Sequence, residues 1–66
     1  MERIYAHKII YDGTSYRNHV MELSDDGHVR LFPFAGEIHS TRFISGTVTV
    51  TVEGNPPHLR PIPHKP

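Results

Sequence analysis

Six histidines among 66 residues are the side chains in this chain with the widest chemical repertoire. An imidazole can ligate a transition metal, act as a general base, or titrate near a pKa of about 6.5. His7, His19, His28 and His39 fall in stretches expected to be strands, so one sheet face could gather several of them. A zinc site needs roughly four N, S or O ligands, and Asp25, Asp26 or Glu37 could complete such a set. No pair has a His-x₃-His or His-x-His spacing, and the absence of cysteine removes thiolate ligands and disulfides together. The histidines are therefore read as solvated or hydrogen-bonded strand residues, and neither a metal nor a cofactor is expected. A nucleophilic centre would have to pair His19 with Ser15, Ser24 or Ser40. Only the availability of those residues supports it, and a domain this small has little room for a pocket of ~300 Å³. No catalysis is expected.

The charges balance at seven basic and seven acidic residues. Nucleic-acid binding draws much of its affinity from phosphate neutralisation, which favours a clustered basic excess. Arg3, Lys8, Arg17, Arg30 and Arg42 are scattered instead, and nucleic acid is not an expected partner. Met1-Glu2-Arg3-Ile4-Tyr5 contains no apolar run of signal-peptide length, and no stretch approaches a membrane span. A cytoplasmic protein that avoids membranes is the expectation.

Any residue doing chemistry here must be held by strands. Residues 3–11 are rich in Ile and Tyr and offer two alternating faces, Ile4, Ala6, Ile10 or Tyr5, Ile9, Tyr11. Asp12-Gly13 is a strong turn signal, lengthened by Thr14-Ser15. In 17–24, Met21 and Leu23 share one face and Val20 takes the other. Asp25-Asp26-Gly27 closes a hairpin into 28–34, where Val29 and Leu31 oppose Phe32 and Phe34. Pro33 cannot donate to a ladder, so this strand ends there or lies at an edge. Ala35-Gly36-Glu37 turns into a weaker strand at 38–45, and Gly46 breaks or bulges the chain. Residues 47–53 alternate without a fault, with Val48, Val50 and Val52 opposite Thr47, Thr49 and Thr51. No stretch shows helical periodicity. The segment 54–66 is rich in proline and is expected as an extended or disordered tail beyond a small β domain spanning 1–53.

The hairpin Met21-Glu22-Leu23-Ser24-Asp25-Asp26-Gly27-His28-Val29-Arg30-Leu31-Phe32-Pro33, with Lys8-Ile9-Ile10-Tyr11-Asp12-Gly13 before it, resembles a known arrangement. It is similar to the small accessory β-domain that flanks the catalytic barrel of the metal-dependent amidohydrolases. The likeness covers residues 4–34. It implies a β fold without the catalytic barrel. The family's His-x-His metal motif is missing, so no catalytic residue carries over.

The expected architecture is all-β: five short, mostly antiparallel strands in a meander, closed into a small barrel or two-layer sandwich. So small a core usually needs a staple, and without disulfides that staple is another protein or a second copy of the chain. The function that follows is a non-catalytic module for protein association, working as a homodimer or with another protein. Phe32 and Phe34, beside the Pro33 edge, are its expected contact residues. Two alternatives stay open: a small histidine-based metal- or ligand-binding protein, and an accessory subunit of a separately encoded hydrolase.

Overall fold

A computed structural model describes residues 1–36 and 39–64. It contains β1 (Glu2–Tyr11), β2 (Thr14–Leu23), β3 (Val29–Pro33), β4 (Arg42–Glu53) and β5 (His58–Pro63), and no helix among the described residues. Correspondingly, no described helix is long and apolar enough to cross a membrane. All five strands join one sheet in the order β3-β2-β1-β4-β5.

Local chemistry explains the two hairpins. Asp12 and Gly13 both take positive φ, 51° and 78°. That is the type I′ geometry whose twist matches the flanking strands. Tyr11 pairs directly with Thr14, so Thr14 and Ser15 belong to β2 and do not lengthen the turn as expected. Gly27 (φ 87°) closes the second hairpin as the Asp-Asp-Gly signal predicts. Ser24 supports this turn. Its hydroxyl donates to the Asp26 carboxylate, which together with nearby His28 holds Asp26 below its ordinary pKa.

Four expectations give way. The sheet is not a meander, because β4 runs parallel to β1 while the other pairs are antiparallel. It is also not closed into a barrel. The strands expected at 38–45 and 47–53 are one strand, Arg42–Glu53, which Gly46 (φ 78°) bulges without breaking. His39–Thr41 precede it, and Glu37 and Ile38 lie outside the described residues. Finally, the tail is extended but not free. His58–Pro63 forms β5 and pairs with β4 from Val48 to Glu53. The reason lies in the Thr-Val strand: its hydrogen-bonding groups need a second neighbour, and the segment that follows brings Leu59 into the core as an apolar anchor.

The core shows how the sheet bends. Ile4, Ala6, Ile9, Met21, Leu23, Val48, Val50 and Leu59 form one buried cluster, flanked by half-buried Tyr11, Tyr16, Val29, Leu31, Ile44 and Val52. Along β1 the inward positions run 4, 6, then 9 and 11. Neither uninterrupted alternation holds, and the face changes at His7-Lys8. Asn18, beside this point on β2, takes φ 56°, and the β1–β4 register slips between Ala6 and Lys8. The extra residue bends the strands while keeping apolar side chains on one face. The sheet therefore curls. The β4–β5 end returns to the β2–β3 turn, where a Cβ on Gly27 would sit 3.6 Å from Pro57 Cγ.

Gly46 sits at this bend. A Cβ there would meet nothing within 4 Å, so only the left-handed backbone opposes a side chain. Gly46→Ala should cost about 1–2 kcal/mol, read as a lower urea midpoint at unchanged slope.

Candidate functional site

On the outer face, aromatic rings gather near the end of β3 and the start of β4. Phe34, just past β3, stacks its ring 4.7 Å from Tyr5, and Phe43 stands 5.4 Å from Tyr5 and edge-on to Phe34 at 6.0 Å. The Arg3 guanidinium donates to His39 C=O at 3.2 Å, tying the far end of the crossover to β1. Val20, which pairs with Tyr5, is fully buried although it lies outside the main core. The aromatic trio is thus a cluster on the outer face, between the end of β3 and the start of β4. Phe43 alone remains largely open, at 58% exposure.

Beside it runs a polar ladder. Arg3, Glu22 and Arg30 sit at paired positions on β1, β2 and β3. Glu22 is the one buried charged residue among those described. It accepts from Arg3 Nε at 2.8 Å and from the more exposed Arg30 at 3.5 Å. The Arg30 guanidinium also lies 5.7 Å from the centroid of Phe32. The two expected contact residues are therefore separated. Phe32 stays on the outer face of the edge strand under Arg30, whereas Phe34 joins the Tyr5 and Phe43 rings. Tyr5 and Phe43 were missed as its partners because the crossover that joins them spans the sheet.

The candidate histidines His7, His19, His28 and His39 lie apart. Among the described residues, no group of three His, Asp or Glu is placed to hold a metal. His19 stacks near Tyr16, His28 lies 3.5 Å from Asp26, and His7 and His39 are exposed. No described serine hydroxyl meets an imidazole. Thr49 Oγ1 meets His64 Nε2 at 2.5 Å on the solvent side of the β4–β5 ladder, away from either hollow. Nearby, Thr51 and Arg60 hold the Glu53 carboxyl below its usual range. One hollow is larger than expected for so small a domain, about 410 Å³ between Glu2-Arg3 and Ser40-Thr41-Arg42. Arg3, Arg42 and the Ser40 and Thr41 hydroxyls line it beside Glu2, whose carboxylate bonds His58 and Leu59 N–H and neither hydroxyl.

The two sheet edges differ in a way that bears on function. On β3, Ser24 N–H donates to His28 C=O at 3.0 Å and Phe34 N–H to Asn18 C=O at 2.9 Å. Antiparallel ladders alternate bonded and non-bonded pairs. On this register Arg30 and Phe32 direct their main-chain groups at β2, while Val29, Leu31 and Pro33 direct theirs outward. Among the described residues nothing bonds the outward groups of Val29 and Leu31. On β5, His64 N–H donates to Thr47 C=O at 2.9 Å. The same alternation turns Leu59, Pro61 and Pro63 outward. Proline has no N–H to offer, and Leu59 N–H is taken by Glu2 Oε1 at 3.1 Å. The β5 edge is closed to strand addition, and the β3 edge is open.

No protein-family model matches the chain, and no curated protein or solved structure matches it significantly.

Proposed function

We propose that this chain is a non-catalytic association module that receives a protein partner along the β3 edge and the Phe32 surface beside it. In kind it is similar to the accessory β-domain of the amidohydrolases, working without a barrel. One observation carries the reading: two edges of a single sheet are treated oppositely. Exposed edges invite pairing with other chains, and proteins blunt those they do not use. Here one edge has lost every outward donor, while the other keeps the N–H groups of Val29 and Leu31. Main-chain groups on an edge give affinity, and neighbouring side chains give selectivity.

The test uses the full chain, made with either Leu31 or N-methyl-Leu31, as bait. The methyl group removes an outward donor and leaves the bonds to β2 in place. A bound protein that disappears with the methylated bait supports the reading. Proteins held equally by both baits, or by neither while the chain itself stays monomeric, overturn it.

A further inference from the structure

We infer that the occupant of the β3 edge is a second copy of this chain, paired antiparallel about a two-fold axis at Leu31. The inference rests on the association reading above and adds the partner and the register.

Outward groups occur only at Val29, Leu31 and Pro33, so the possible self-pairings are few. Centred on Leu31, each Leu31 N–H donates to the second copy's Leu31 C=O. Each Val29 N–H donates to the second copy's Pro33 C=O. Pro33 has no donor, and in this register it is needed only as an acceptor. A two-fold axis at Arg30 would also satisfy the donors, but it sets two guanidinium groups directly opposite one another. Like charges at that position are destabilising. An axis at Phe32 would pair Leu31 with Pro33 and set Val29 opposite Ala35, past the end of β3. The Leu31 register satisfies both donors within β3 and opposes no like charges.

Side chains agree with this choice. On the outer face Arg30 comes opposite the second copy's Phe32. Arg30 already lies over its own Phe32 at 5.7 Å, so pairing presents the guanidinium with a further aromatic face. The two Arg30 groups are not directly opposed, and each has a Glu22 carboxylate 3.5 Å away. On the inner face Leu31 meets Leu31 and Val29 meets Pro33. Half-buried Val29 and Leu31, with the exposed Pro33, would extend the apolar face across the junction. Pairing β3 with β3 about a two-fold axis uses up that edge in both copies, and the β5 edge offers no outward donor for a third. A closed dimer results, and no filament.

Sedimentation of the full chain, with nuclear magnetic resonance on mixed labelled and unlabelled chains, tests this. The expected result is a species of twice the 7.5 kDa chain mass. It should show an intermolecular contact between the Arg30 Hα and the second copy's Phe32 Hα, which face each other in a non-bonded pair. N-methyl-Leu31 should weaken dimerisation about tenfold or more, since both central hydrogen bonds are lost. Arg30→Glu, which leaves the main chain intact, should weaken it as well. A chain that stays monomeric at millimolar concentration overturns the inference, as does a dimer whose contacts lie elsewhere. The association reading fails separately, when the bait comparison also shows no edge-dependent protein.

Discussion

A chain ending at Glu53 should fail to fold, giving a disordered far-UV circular dichroism spectrum and a collapsed amide dispersion. Removing residues 54–66 deletes β5 and with it Leu59, a member of the buried cluster. Losing that side chain alone forfeits about 1.5–3 kcal/mol of apolar burial. It also uncovers Val48, Val50 and Val52 and strips β4 of its outer ladder, leaving a long apolar edge exposed. Cores of this size rarely supply more than about 3–5 kcal/mol in total. The loss therefore takes most of the available stability. A truncated chain that keeps its urea midpoint would show that β5 is an appendage, as composition alone suggests.

Ile9→Ala should be nearly as damaging, and its comparison with Ile10→Ala decides whether the sheet bends at His7-Lys8. Ile9 is fully buried on the central strand, between Tyr16 of β2 and Val48 of β4. Truncating such a side chain costs about 2–5 kcal/mol, depending on how far the site collapses. Ile10 is half-buried on the opposite face, paired with Ser15 and Thr49, and should cost less by at least about 1 kcal/mol. Uninterrupted alternation from Ile4 and Ala6 demands the reverse order, with Ile10 inside. Equilibrium urea denaturation of both variants reads the difference. Finding Ile10→Ala the more harmful would remove the bend, and with it the reason the apolar face is enclosed.

The contrast between these two isoleucines shows where a pattern stops being legible. Val48, Val50 and Val52 alternate with threonines beyond the extra residue that β4 carries at Ser45-Gly46, and their burial follows directly. Met21, Leu23 and Val20 divide between faces as their spacing requires, and Asp25-Asp26-Gly27 makes the turn its residue types favour. In β1 the run Ile4-Tyr5-Ala6-His7-Lys8-Ile9 supports two alternations equally. The choice falls to Asn18 and Gly46, whose left-handed backbones bend the neighbouring strands. No local window contains all three segments.

The candidate site was legible in the same uneven way. Pro33 marks β3 as an edge strand from composition alone, because a missing donor is a property of the residue. Pro61 and Pro63 carry a stronger version of that signal. Their spacing of two puts both missing donors on one side of a strand, which is what a closed edge needs. It was hidden because a proline-dense segment reads as solvated tail until a neighbour exists for its other side. The histidines show the opposite limit. Their residue type suggested convergence, but placing imidazoles together depends on strand order, and here they disperse.

Period, turn chemistry and the lack of cysteine settled that this chain is a small all-β unit with an apolar face and no covalent staple. Those properties reside in single residues and near neighbours. Folding in three dimensions decided that β4 lies parallel to β1, that the proline segment closes one border, and that the other border stays open. Each of those outcomes is a pairing between distant segments. The free energy of such a pairing depends on the register and curvature of the whole sheet, which short windows of sequence do not contain.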